Sequence, residues 1–206
     1  MNKTNKVAWF VFGFLAIGVG FYPLMYFFAD GEVGLRLTKS KALLADTIWN
    51  IGFYGHISFG AMALLIGWVQ FSKKFRNANL RRHRTIGKIY VGAVAISGLC
   101  GLFIAFYATG GWVAKTGFIG LALIWLYFTG GAYLAVKKAD IQKHQVYMIY
   151  SYAACFAAVT LRIWLPLLTI AFGAFIPAYR IVAWLCWVPN IIFAYVWVKR
   201  KGLAIG

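Results

Sequence analysis

Acidic residues are scarce in this sequence: it has four Asp and Glu against 21 Lys and Arg. Charged residues make up only 12% of the 206 residues, and 63% are hydrophobic. A soluble domain usually has about 25% charged and 45–50% apolar residues. Both departures indicate a protein whose solvent is lipid. An aromatic content of 19% is typical of chains with aromatic belts at the two membrane interfaces.

Several catalytic and cofactor motifs are missing from the sequence. The three cysteines lie in apolar runs without a CxxC pair, and there is no HExxH, CxxCH or Gly-rich phosphate loop. Three histidines are too few for the eight-His pattern of membrane desaturases. No Asp or Glu falls inside a long apolar run, which disfavours a proton-coupled or cation-coupled transporter.

Long apolar runs predict an all-α membrane protein with six transmembrane helices in one domain, 1–206. The fifth run exceeds the roughly 20 residues needed to cross the hydrocarbon, so we expect it to tilt or to bend near Pro166. The predicted spans are 7–28, 48–71, 85–108, 113–136, 143–172 and 176–198.

The basic residues cluster in alternate gaps between these runs. With a cytoplasmic N-terminus, 15 of the 21 Lys and Arg fall on the inner side, together with both termini. This placement predicts contact with anionic lipid headgroups at the cytoplasmic face. The net charge of +17 is therefore better explained by membrane topology than by nucleic-acid binding.

Two histidines open the third and fifth runs and are predicted to lie at similar depth near the cytoplasmic interface. His83 and His144 would then be able to clamp one b-type haem iron. Arg84 and Lys143 are among the cations expected to neutralise its propionates. The alternative is that both imidazoles contact lipid phosphate or cap their helices.

A second set of polar residues is predicted in the outer half of the bundle. His56 lies roughly 21 Å further out than the end of the second run, which disfavours one zinc site for all three histidines. His56 and Arg162, with Arg180 and Asp46, are expected to line an outer cavity suited to a quinone carbonyl or a small anion. In the alternatives, His56 is a neutral structural histidine and Arg162 pairs with Asp46.

Four segments in the same order resemble an uncharacterised bacterial family of predicted membrane proteins, called domain of unknown function 2306, over roughly residues 50–198. The resemblance implies that His56, His83, His144 and Arg162 are signature polar positions. The chain departs from the expected pattern at Tyr150, where many relatives are expected to have Arg. The segments are GHISFGAMALLIGWVQF, RRHRTIGKIY, KHQVYMIYSYAACFAAVTLRIWLP and WLCWVPN.

Three functional hypotheses follow. The first is a small b-type cytochrome that passes electrons across or within the bilayer, with a quinone or another redox partner as its expected partner; membrane b-type cytochromes have a comparable architecture. The second is a binding or transport protein whose outward site is built on His56 and Arg162. The third is an accessory subunit of a membrane complex. The resemblance also implies a multi-pass protein of the bacterial inner membrane.

Overall fold

Six long helices dominate the structure, a computed structural model that describes residues 3–203. Each of the six is long and apolar enough to cross a membrane, which confirms the predicted number of spans. Every regular element in the described range is helical, as predicted for an all-α protein. Spans 1 to 6 are Lys6–Phe28, Thr47–Phe71, Leu80–Ala105, Trp112–Lys137, Ile141–Phe172 and Phe175–Arg200.

Only spans 3 and 4 are single uninterrupted α-helices. Span 1 consists of Lys3–Phe21, a 3₁₀ turn Tyr22–Leu24 and Met25–Phe28; span 2 of Thr47–Gly67 and the 3₁₀ turn Trp68–Phe71. Span 5 consists of Ile141–Cys155 and Ala157–Phe172; span 6 of Phe175–Leu185 and Val188–Arg200. Shorter helices in the connections are Gly34–Thr38, Lys41–Ala45 and Lys73–Ala78.

Span 5 changes helix at Phe156, whereas Pro166 lies inside the second of its two helices. The interruption of span 6 lies opposite, at Cys186 and Trp187. Asn190 joins the two interruptions, because its amide donates to the carbonyl oxygens of Ala153 and Cys186 at 3.3 and 3.0 Å. Carbonyl groups freed at the two breaks thus find donors inside the bundle, as lipid requires.

The spans alternate in direction and pack mainly with their neighbours, 2 with 3, 3 with 4, 4 with 5 and 5 with 6, while span 1 rests on spans 2 and 5. Spans 4 and 6 approach closely at Gly117, where an added Cβ would lie 2.8 Å from the carbonyl oxygen of Ala183. Small residues permit such helix contacts in membranes.

The connections between the spans lie at two opposite ends of the bundle. The basic end holds the start of span 1, the end of span 6 and the connections 72–79 and 138–140. The far end holds the connections 29–46, 106–111 and 173–174. At the far end, the long 29–46 connection is fixed to its neighbour, because Thr38 and Thr109 share a hydrogen bond of 3.1 Å between their hydroxyl oxygens.

A layer of buried hydroxyl groups crosses the bundle between these ends. Ser151 lies 2.8 Å from the hydroxyl of Tyr90 and 2.6 Å from that of Thr129, joining spans 3, 4 and 5. Tyr152 donates to the carbonyl oxygen of Leu64 in span 2 at 2.9 Å. This satisfied network fixes the mutual rotation of four spans, since each hydroxyl would be costly in the core without its partner.

Candidate ligand cavity

A central cavity of about 210 Å³ lies on the far-end side of this hydroxyl layer. All six spans and the 29–46 connection contribute to its wall, which is mostly apolar. Leu64, Trp125 and Cys155 lie at its inner limit, while Lys39 lies on the side of the connection. None of the described lining residues is acidic. A concave, mostly apolar void with a few polar groups is the usual form of a small-molecule site.

Arg162 is the main cation of the cavity. Its Nη1 donates to the carbonyl oxygen of Ala158 at 2.7 Å, and its Cζ lies 4.3 Å from the centroid of the Tyr22 ring. Its Nε is buried and has no hydrogen-bond partner among the described residues. The guanidinium is therefore held by a carbonyl group and an aromatic face, neither of which neutralises its charge.

His56 is held in a defined orientation by span 3. Its Nδ1 lies 2.9 Å from the carbonyl oxygen of Ser97. A carbonyl oxygen only accepts hydrogen bonds, so Nδ1 carries the proton and Nε2 of the neutral ring has the lone pair. Ser97 in turn donates to the carbonyl oxygen of His56 at 2.8 Å. The imidazole is thus oriented on the cavity wall with one nitrogen available to a ligand.

Trp49 adds a further polar atom that lacks a partner. The residue is 2% exposed and lines the cavity, and its indole Nε1 has no hydrogen-bond partner within the described part of the chain. Nε1 is a donor only. The orphaned donors of Trp49 and Arg162 therefore belong to residues of one cavity wall, and each matches a ligand that accepts hydrogen bonds.

Lys39 brings a second cation to the cavity wall from the 29–46 connection. Its Nζ donates to the carbonyl oxygen of Tyr107 at 2.6 Å and to the hydroxyl of Thr109 at 2.9 Å. Burial, with a smaller effect from the charge of Lys115, lowers the pKa of Lys39 to about 8. Its charge is therefore sensitive to pH just above neutrality.

Arg36 stabilises the same connection but does not line the cavity. It forms an ion pair with Glu32, and its Nη1 donates to the side-chain oxygen of Asn50 at 2.8 Å. The hydrogen bond from Arg36 lowers the pKa of the exposed Glu32 carboxyl. Among the described residues, the ion pair is the one between Arg36 and Glu32. Arg162 is not part of it and therefore has no carboxylate partner there.

The structure brings together two of the four residues predicted for the outer site. His56 and Arg162 line the one cavity, whereas Asp46 and Arg180 do not. Asp46 caps span 2 by accepting from the backbone N–H of Trp49 at 2.8 Å. Arg180 donates from Nε to the carbonyl oxygen of Gly110 at 2.8 Å. The structure therefore does not contain the alternative ion pair between Arg162 and Asp46.

His83 and His144 lie at the basic end, close enough to interact electrostatically. Nδ1 of His144 is 2.9 Å from the carbonyl oxygen of Ala132, and Nδ1 of His83 is buried without a partner. Arg84 is exposed, while Nζ of Lys143 lies 5.6 Å from the centroid of the Tyr147 ring. Within residues 3–203, no group of three or more His, Cys, Asp or Glu is arranged to hold a metal ion.

A family model described as "Predicted membrane protein (DUF2306)" matches residues 53–198. The chain belongs to this family. The DUF2306 match confirms the resemblance and includes His56, His83, His144 and Arg162. It begins inside span 2, so span 1 and the 29–46 connection, which complete the cavity with Tyr26 and Lys39, lie outside the DUF2306 region. Neither the curated proteins nor the solved structures contain a match.

Sequence reasoning about this family member missed three residues at the cavity. Trp49 and Tyr22 resemble ordinary belt or packing aromatics, and Lys39 is one of several cations in a connection. The signal that would have found Lys39 is the length of the 29–46 connection, since long connections often cover functional sites.

Proposed function

We propose that this membrane protein binds a small amphiphilic ligand in its central cavity, with an anionic oxygen of the ligand on Arg162. The observation that carries the proposal is the guanidinium itself, which lines the cavity with a buried, unpartnered Nε and no carboxylate partner among the described residues. A charge enclosed by a bundle in lipid is costly unless it is paired. A bound anion would supply the missing partner.

His56 and Trp49 complete the proposed recognition site. Nε1 of Trp49 donates a hydrogen bond and therefore matches an anionic oxygen, whereas Nε2 of a neutral His56 accepts one and matches a hydroxyl or another donor group of the ligand. Benzene fills a cavity of about 150 Å³. A cavity of about 210 Å³ therefore suits a head group with a ring or a short chain.

The proposed orientation places the basic end in the cytoplasm, because 15 of the 21 Lys and Arg lie there by sequence. The cavity then lies toward the outer face of the bacterial inner membrane. Labelling of single cysteines by a membrane-impermeant reagent in intact cells tests this orientation. Reaction at residue 37 with protection at residue 77 supports it, and the reverse pattern refutes it.

The binding experiment compares two arginine variants in nanodiscs. Hexanoate is the probe, and hexanol is the uncharged control of the same chain length. Hydrogen bonds to charged groups contribute about 1.5–3 kcal/mol, so we expect Arg162→Gln to weaken hexanoate binding about 10-fold to 150-fold. Arg180→Gln removes an arginine of the far-end half that does not line the cavity, and should bind as the wild type does.

Two outcomes of this experiment would overturn the proposal. One is equal affinity of the wild-type protein for hexanoate and hexanol, because recognition would then not depend on charge. The other is an equal loss in the Arg162 and Arg180 variants, because the effect would then reflect general disturbance of the far end. Thermal unfolding of both variants without ligand checks that each is folded.

A second candidate function is haem ligation at the basic end, as in a small b-type cytochrome. It is supported by the contact between Nδ1 of His144 and the carbonyl oxygen of Ala132, which leaves Nε2 as the nitrogen with the lone pair. The buried, unpartnered Nδ1 of His83 supports it as well. Oxidised and reduced absorption spectra test this function; a Soret band lost in both His83→Ala and His144→Ala would establish it.

A further inference from the structure

A second void, an open groove of about 320 Å³, lies between spans 1 and 2. Its wall is apolar apart from Ser58, and it is more open than the central cavity. Phe21, Leu24 and Phe27 belong to its wall and are all about half exposed on the bundle surface. In a membrane this groove faces the hydrocarbon of the bilayer.

The groove and the central cavity share part of their walls. Pro23 of span 1 and Ala61 of span 2 line both voids. These two residues therefore form part of the separation between the voids. Pro23 lies in the 3₁₀ turn Tyr22–Leu24, where the α-helix of span 1 is interrupted. Proline cannot donate a backbone hydrogen bond, so this is a weak point in the helix.

Spans 1 and 2 meet on either side of this shared wall. Toward the far end, the rings of Phe27 and Tyr54 have centroids 5.1 Å apart. Toward the basic end, Gly20 packs so closely on Leu65 that an added Cβ would lie 2.5 Å from its side chain. We call the gap between these two contacts, which contains Pro23 and Ala61, the window.

Arg162 contacts span 1 close to the window. The aromatic ring beneath its guanidinium belongs to Tyr22, the residue before Pro23. The proposed anion site and the opening toward lipid are thus adjacent along span 1. A charged site beside an apolar groove matches an amphiphile, in which a charged head is joined to an apolar chain.

We propose that the window is a lateral opening to the bilayer and that the ligand is a single-chain anionic amphiphile dissolved in the membrane. Its head lies on Arg162 and its chain passes between Pro23 and Ala61 into the groove. The proposal rests on the anion site described under Proposed function. When the acyl chain of the ligand moves from lipid to the helix surface, its free energy changes little, because both surroundings are apolar. The affinity therefore comes from the head group, and the window provides the route into the cavity.

Photo-crosslinking tests the position of the chain. The probe is a hexadecanoate with a diazirine near the end of its chain, in nanodiscs of neutral lipid. We expect labelled peptides from residues 20–27 and 58–66, with labelling reduced at least fivefold in Arg162→Gln. Labelling of these peptides that does not depend on Arg162 would identify ordinary annular lipid and would overturn the proposal.

A substitution in the groove tests the route independently. Ser58 lies in the groove but not in the central cavity, so Ser58→Phe should weaken hexadecanoate binding at least tenfold and leave hexanoate binding unchanged. Ile51→Phe is the matched control, since Ile51 is 67% exposed on the same span and lines neither void.

The failures of the two proposals can be told apart. If the wild-type protein does not bind hexanoate in preference to hexanol, the anion site itself is refuted. If hexanoate binds through Arg162 but Ser58→Phe does not change hexadecanoate binding, only the lateral opening is refuted. Unchanged hexanoate binding in Ser58→Phe also shows that this variant is folded.

Discussion

The central cavity and the basic end both contain histidine and cationic side chains, but their surroundings differ. At the basic end, Arg81, Arg82 and Arg84 are exposed and numerous. In the cavity, Arg162 is enclosed among apolar walls and lacks a carboxylate partner among the described residues. Exposed clustered cations are screened and orient a chain in the membrane. A buried cation without a carboxylate partner favours an anionic ligand, because its charge is not balanced within the protein.

The hydroxyl layer separates these two regions. Tyr90 and Ser151 are fully buried, and Thr129 is 3% exposed. These side chains bond to one another, and the interior around them is closely packed. The two regions should therefore respond to substitution independently, and the following predictions test that independence.

Among the tests of this independence, Gly101→Ala should have the largest effect. The added Cβ would lie 2.7 Å from Nδ1 of His56, so the imidazole must move away from the carbonyl oxygen of Ser97. Overpacking of this kind costs about 1–3 kcal/mol of stability. Because His56 lines the cavity, we expect displacement of its ring to lower hexanoate affinity about tenfold. Thermal unfolding and titration calorimetry in nanodiscs measure the two effects.

Gly92→Ala is the control for that substitution. Gly92 lies on the same span, and an added Cβ there meets no atom within 4 Å. Alanine is a better helix former than glycine, so stability should be unchanged or slightly higher and binding should be normal. Equal losses in both variants would contradict the assigned role of the contact between Gly101 and His56.

A smaller effect is expected from pH. The pKa of Lys39 is about 8 because of its burial, so the cavity wall loses a positive charge as pH rises from 7 to 9. One partly screened charge contributes roughly 1 kcal/mol, and hexanoate affinity should fall about fivefold over this range. Lys39→Met should bind weakly at both pH values; a pH dependence retained in this variant would exclude Lys39 as its source.

The same group affects stability with a definite sign. Its pKa is lower in the folded protein than the usual 10.5. Between about pH 8 and 10.5 the unfolded chain therefore binds more protons, and the Lys39 contribution makes stability rise with pH. Ligand-free thermal unfolding across this interval, compared with Lys39→Met, measures the contribution.

The smallest expected effect is at the basic end. His83 and His144 lie on the other side of the hydroxyl layer from the cavity, and neither residue lines it. The variants compared are His83→Ala and His144→Ala. Hexanoate affinity should remain within about twofold of the wild type in both. A larger loss of affinity in variants of normal thermal stability would show that the basic end and the cavity are coupled, and would contradict their independence.

Much of the architecture was predictable from the sequence, and part of the site was as well. The six apolar runs correspond to the six spans, and the family was recognised from four segments. His56 and Arg162 were singled out because polar residues inside apolar runs are expensive. Lys39 and Trp49 were missed, because the wall they share depends on how the 29–46 connection folds over the helix ends.

The groove was not predictable at all. Its position depends on the gap between the Phe27–Tyr54 contact and the Gly20–Leu65 contact, which lie toward opposite ends of spans 1 and 2. Periodicity identifies residues on one helix face, but it does not give the separation of two helices. The prediction of haem at His83 and His144 stays a prediction.

The sequence by itself determined that this chain is a membrane protein of six helices, because hydrophobic length and the cost of unpaired backbone groups in lipid allow little else. Only the tertiary structure decided which polar side chains share one void. Helix rotation and separation are set by close contacts such as Gly117 on Ala183 and by buried bonds such as Tyr90 to Ser151. Those contacts join residues far apart in the chain, and they bring Arg162 and His56 to the wall of one cavity, which no single segment encodes.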